Sequence, residues 1–155
     1  VLTQDIGHNV CLGSSVVTPI RNKKFEDALA SEYIKKLSIK CTGIKQIAAG
    51  LSGGNQQKLI VSRVLSKSPK VLILDEPTRG IDVVSKSEIH AIIGKMIQEG
   101  MSVILISSEF EEIMGMCDRA TVLYEGRSMG TVERKDFSEE LLLSMAHGKM
   151  RESSA

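Results

Sequence analysis

Residues 71–82 read VLILDEPTRGID, and this stretch decides the fold. VLIL (71–74) is a continuous apolar run of strand length, closed abruptly by two acids, a proline and a glycine. A run with no polar alternation predicts a strand buried on both faces. Beyond it, Ile89, Ile92, Ile93, Met96 and Ile97 recur at i, i+3, i+4, i+7 and i+8, and Glu99-Gly100 follows. That spacing predicts a helix with a stop signal. A second apolar run, VILI (103–106), comes next. Strand, helix, strand with wholly apolar strands is a βαβ unit, so a parallel sheet covered on both faces is expected. Ligands of such sheets collect beyond the C-terminal ends of the strands, where DE (75–76) and SSE (107–109) stand. These two sites are expected to converge.

Upstream, LSGGNQQK (51–58) precedes a helix expected from about Asn55 to Leu65, with Ile60–Val64 and Val61–Leu65 as i, i+4 pairs. Before it, Phe25, Leu29, Ala30, Tyr33, Ile34 and Leu37 mark the apolar face of another helix beginning near Lys24, with RNKK (21–24) as its solvated entrance. Residues 1–22 carry only a short helix or turn and a loop through Pro19. Downstream, a short helix runs through Phe110, Ile113 and Met114. TVLY (121–124) and SMGTV (128–132), turned by EGR, form a hairpin. Asp136, three residues before Glu139, is the expected cap of a last helix at 141–145, followed by a mobile tail. Met114, Cys117 and Tyr124 are expected to pack.

Composition narrows the function classes. The 155 residues are 42% hydrophobic and 25% charged, enough apolar material for a core, either as one globular unit or as part of a larger one. No run approaches the roughly 18–20 apolar residues of a membrane-spanning helix. With 20 basic and 19 acidic residues, no Trp, two Tyr and three Phe, nucleic acid is not an expected partner. Cys11, Cys41 and Cys117 are odd in number and lack C-x-x-C spacing, which predicts reduced, buried thiols in a cytosolic setting. His8, His90 and His147 have no second ligand at metal spacing. Residue 1 is Val, which suggests a cut inside a longer protein.

Two stretches carry candidate chemistry. Asp75 and Glu76 leave a strand side by side, so their side chains point to opposite sides of it. One carboxylate can serve a metal ion and its neighbour a water molecule, a division of labour suited to phosphoryl transfer to water. Taken alone, such a pair also serves as an ordinary turn cap. In LSGG, Ser52 offers a hydroxyl, and Gly53 and Gly54 expose backbone N–H groups at a helix start, where the dipole favours anions. Taken alone, this is equally an ordinary loop-to-helix junction.

The succession LSGGNQQK, helix, VLILDEPTRGID, helix, VILISSE resembles the ATP-binding cassette (ABC) ATPase family, most strongly between Gly50 and Arg127. The resemblance implies a partial P-loop NTPase α/β core with a helical signature subdomain. It places Ser52, Gly53, Gly54 and Gln56 in the signature motif, closing over ATP held by an opposing unit. It makes Asp75 the Walker B aspartate, holding Mg²⁺ through water, and Glu76 the general base. Asp82 falls at the D-loop position. Ser108 falls where most of the family has a histidine. GGNQQK, DEPTRGIDV and ISSEFEEI…CDRATVLYEGR are similar to the second half of tandem ATPases that energise bacterial monosaccharide import, a branch in which that serine is typical. Expected partners are therefore the N-terminal ATPase half or a second ATPase subunit, a membrane permease, and through it a periplasmic sugar-binding protein. The expected location is peripheral, on the cytoplasmic face of the inner membrane.

G-x-x-x-x-G-K-[ST], the phosphate-cradling loop, occurs nowhere in the 155 residues. The sequence thus divides into a partial signature subdomain (1–68), a distal catalytic core (69–135) and a C-terminal helix and tail (136–155), with the Walker A part missing. Alternatives are a soluble ABC ATPase acting on nucleic acid or ribosomes, and a piece without independent activity.

Overall fold

The computed structural model describes residues 1–12 and 23–149. The loop through Pro19, Arg21-Asn22 and the tail beyond Lys149 lie outside them. The chain divides into two compact units, one of Val1–Ile73 with Pro77–Ile104, the other of Leu74–Glu76 with Leu105–Ala155.

The first unit is mainly helical. Helix α1 (Ile6–Cys11) is capped by Asp5, whose carboxylate accepts the His8 N–H at 2.7 Å. Helix α2 (Lys23–Lys36) buries Ala30 and Tyr33, with Leu37 just beyond its end, while Lys23 and Lys24 are solvated as expected. Phe25 departs from expectation and is 60% exposed. Five residues before Ala30, it stands about 140° around the helix from the buried stripe, given about 100° per residue. Helix α3 (Gly53–Leu65) starts two residues before Asn55, so both glycines lie in its first turn. Of its two i, i+4 pairs, Val61–Leu65 is buried and Ile60–Val64 is exposed, because only one flank meets the core. The Tyr33 hydroxyl ties α2 to α3 by donating to the Leu65 carbonyl at 2.8 Å.

Helix α4 (Val83–Gln98) buries Ile89, Ile93 and Met96, each contributing roughly 1.5–3 kcal/mol on leaving water, and leaves Ile97 outside. Gly100, at φ +92°, ends it as the sequence predicts. Strands β1 (Val71–Asp75) and β2 (Ser102–Ile106) pair as a parallel two-stranded sheet. The expectation that both faces are covered does not hold for the described residues. Leu72 and Leu74 are buried, whereas Val71, Ile73, Ile104 and Ile106 are exposed. Strand residues alternate sides, so the row with Leu72 and Leu74 is buried while the opposite apolar row stays bare.

In the second unit, β3 (Arg119–Tyr124) and β4 (Arg127–Glu133) form the expected antiparallel hairpin. Glu125 and Gly126 turn it with φ of +46° and +75°, the left-handed pair that matches strand twist. Met129, Val132, Leu142 and Met145 form the core, with Phe110, Ile113 and Met114 of α5 (Phe110–Met116) packed against it. Helix α6 (Glu139–Ala146) is capped by Ser138, which accepts the Leu141 N–H, and not by Asp136. Asp136 lies in a 3-10 turn that ends before Phe137, two residues short of the cap position. Tyr124 is exposed, although its ring lies against Gly148. All three cysteines are free thiols, but only Cys11 is fully buried.

Candidate functional site

The start of α3 is assembled from three directions. Ser52 occupies the N-cap position with extended backbone, yet its hydroxyl does not cap the helix. It accepts instead from the side-chain amide of Asn55 at 2.8 Å. Ordinarily the hydroxyl would satisfy the backbone N–H of the second or third helical residue. Among the described residues no bond satisfies the N–H groups of Gly53, Gly54 or Asn55, and the first amide engaged is that of Gln56, donating to Ser52 O at 2.9 Å. The result is a helix N-terminus of open donors, chemically suited to an anion.

The two glycines differ. A Cβ on Gly53 would find Ile81 Cγ2 at 3.6 Å, an ordinary contact. On Gly54 it would collide with both Oγ and Cβ of Ser85, so one of the two helices would have to shift. Gly54 is therefore required for α3 to lie against the first turn of α4. There Asp82 caps α4, its Oδ1 accepting the Ser85 N–H at 2.9 Å and its Oδ2 the Ser85 hydroxyl at 2.7 Å. These two bonds, the backbone one first, hold the Asp82 carboxyl below the usual carboxylate range. One turn further along both helices, buried Lys58 reaches Glu88 at 2.8 Å and donates to the Ser38 carbonyl at 3.2 Å. The Lys58 ammonium holds Glu88 below its ordinary range. Gly54–Ser85 and Lys58–Glu88 thus fix the register between α3 and the Asp82 cap. Gln56, predicted at the helix mouth, turns back to donate to the Leu51 carbonyl at 3.0 Å.

The end of β1 is held by backbone. Glu76 stands at φ +47°, a left-handed conformation that costs a non-glycine residue about 1–3 kcal/mol and persists only where the surroundings enforce it. Its N–H donates to Ile106 O at 2.9 Å, and its Oε1 accepts the Ser108 N–H at 2.9 Å. The predicted meeting of DE and SSE is therefore direct. It uses the main chain of Ser108, so the side chain at that position is not what holds the carboxylate. Ser107 Oγ accepts the Glu109 N–H at 3.0 Å and shapes the same turn. Asp75 is exposed.

Asn55, Ser85, Lys58 and Glu88 were not singled out by sequence reasoning. The D-x-x-S of Asp82–Ser85 is a readable capping pattern, and Lys58 lies four residues after Gly54 on the same face of α3. Nothing local announces Glu88 as its partner. Among the described residues, no group of three or more His, Cys, Asp or Glu is placed to hold a metal ion by itself, and no helix is long and apolar enough to cross a membrane.

Comparison with known proteins joins the two places. Residues 2–79 match the ABC transporter family model. The chain is 46% identical over 123 residues to the ribose import ATP-binding protein of Shouchella clausii, covering 79% of this chain and 25% of that protein. It is 45% identical over 127 residues to the ribose import ATP-binding protein of Yersinia pestis, covering 82% and 25%. It superposes with TM-score 0.72 and 25% identity on CbiO1 from Clostridium perfringens, part of an ABC transporter complex, covering 94% of this chain and 55% of that one. The chain spans about a quarter of the length of the curated relatives it matches. With a matched model running through both LSGG and DEP, the chain belongs to the ABC transporter family.

Proposed function

We propose that this chain is part of the ATP-hydrolysing subunit of a bacterial sugar importer, in which the α3 mouth closes over the γ-phosphate of ATP bound to an opposing ATPase unit. The observation that carries the reading is the start of α3: unsatisfied N–H groups beside a serine hydroxyl that does not cap them. Phosphate supplies the missing acceptors. The likeness to ribose import proteins supports sugar as cargo. It also supports a membrane permease, a periplasmic sugar-binding protein and a second ATPase half as partners, on the cytoplasmic face of the membrane.

At the strand end, Glu76 is the general base. Oε1 is fixed by Ser108 N–H, which leaves Oε2 to take a proton from an attacking water. Asp75, an exposed carboxylate at a strand end, fits Mg²⁺, which commonly takes one or two carboxylates plus phosphate oxygens and water. Asp75 would hold the ion, which would supply charge neutralisation on the phosphates. Asp82 shapes the entry to α4, and residues 1–68 make up the signature-bearing part.

The bare apolar row of Val71, Ile73, Ile104 and Ile106 favours a second, compatible reading: these 155 residues do not work alone. Calorimetry on the isolated chain should give ATP affinity weaker than millimolar.

The deciding experiment is Gly53→Asp in the full-length protein. The position has room for a side chain, so the fold survives while a carboxylate faces phosphate. Transport-stimulated hydrolysis should vanish at unchanged melting temperature; undiminished hydrolysis would end the proposal. Glu76→Gln should slow turnover by roughly 10²–10⁴.

A further inference from the structure

We propose that Asn55 is a positioning residue that aims the Ser52 hydroxyl at phosphate, an inference that rests on the phosphate-closing reading above. Asn55 Oδ1 accepts the Lys40 N–H at 2.8 Å, and Asn55 Nδ2 donates to Ser52 Oγ at 2.8 Å. The orientation of the amide is set by chemistry. A backbone N–H can only donate, so the amide oxygen must face Lys40 and the NH₂ must face Ser52. That NH₂ can only donate in turn, so Ser52 Oγ is the acceptor and its own hydrogen stays available to an outside acceptor. The asymmetry is what a phosphate oxygen, which only accepts, requires of its partner.

The anchor behind Asn55 is firm. Lys58, one turn along α3, donates to the Ser38 carbonyl, so α3 grips the 38–40 segment at both ends. Ile39 between them is buried, and Ser38 takes the left-handed conformation at φ +49°. An Asn at the third helical position is therefore braced against a distant stretch of backbone and holds a serine three residues before it. In a helix start built for stability alone, Ser52 would accept the Asn55 backbone N–H and close the mouth. Here the side chain takes that place, and the backbone N–H stays open.

The test is a double-mutant cycle in the full-length ATPase assembled with its permease, reading stimulated turnover and melting temperature. Asn55→Ala should lower turnover roughly 3- to 10-fold, the worth of one oriented hydrogen bond. In a Ser52→Ala background it should cost nothing more. Asn55→Asp is the second variant: it keeps the Lys40 acceptor and therefore the local fold, but accepts the Ser52 hydrogen instead of freeing it. Repulsion of phosphate by the new carboxylate is common to both backgrounds and cancels in the cycle, so a remaining coupling supports the inference. Equal losses with and without Ser52 would overturn it and make Asn55 a structural residue only. Unchanged turnover in Ser52→Ala alone would overturn this inference, while undiminished hydrolysis in Gly53→Asp would overturn the phosphate-closing reading beneath it, so the two failures are told apart.

Discussion

The start of α3 and the end of β1 each hold a polar group at the edge of solvent, and they do so by opposite means. Ser52 is aimed by side chains: the Asn55 amide bonds it, while the missing Cβ of Gly54 lets α3 approach Ser85. Glu76 is aimed by main chain: its left-handed φ, its N–H on Ile106 and the Ser108 N–H on its carboxylate. Where side chains do the holding, residue identity matters at each position. Where backbone does it, a neighbour such as Ser108 is free to vary. A serine at Ser108 is therefore compatible with a positioned Glu76.

The comparison can be broken at its most side-chain-dependent point. Glu88→Ala leaves buried Lys58 with only the Ser38 carbonyl as partner and should cost about 1–3 kcal/mol in chemical denaturation, the penalty for a buried donor that loses its charged acceptor. Lys58→Met should cost clearly less, because the Glu88 left behind is over a third exposed and water can solvate it. If the two losses are equal, burial is not the source of the asymmetry. The same pair sets a pH dependence. Glu88 and Asp82 both have depressed folded-state pKa values, so their contribution is complete above the ordinary carboxylate range and is lost as pH falls through the lowered values. Their contribution should be constant above about pH 5 and fall in acid. Glu88→Gln should flatten that acid limb.

Next in size is Gly54→Ala, which should destabilise by about 2 kcal/mol through overpacking against Ser85, with recovery in Gly54→Ala/Ser85→Gly. Failure of the second change to restore stability would place the constraint elsewhere. At the strand end, Ser108→Ala should leave turnover unchanged, whereas Ser108→Pro removes the N–H on Glu76 and should slow it about tenfold. Equal effects of the two would show that the serine side chain, and not its backbone, matters. The smallest effect is expected at Gly94 inside α4, where nothing lies within 4 Å of an added Cβ. Gly94→Ala should stabilise by about 0.5–1 kcal/mol, measured as a higher denaturation midpoint.

Much of the fold was legible because its causes are local. The helix over 89–97 with its buried Ile89, Ile93 and Met96, the Glu125-Gly126 turn and the Gly100 stop are each read within a few residues, and the structure has them, although Ile97 at the end of the stripe is exposed. The reading failed where two local signals competed or a distant partner decided. Asp136 stands three residues before Glu139 as a capping box requires, but α6 starts only at Glu139, and that start gives the cap to Ser138. Phe25 looked like part of a face, but the buried stripe is fixed by what α2 packs against.

For this protein, sequence alone determined the order of strands and helices and the positions of the motifs, since periodicity, caps and glycine turns act over one or two turns of chain. Tertiary structure alone decided that Gly54 is obligatory while Gly53 has room, that Lys58 answers Glu88, and that Ser108 serves Glu76 through its backbone. It also decided that one row of the β1–β2 sheet stays bare. These depend on atoms some 30 residues apart in the chain, and a pairing across that distance has no period to be read.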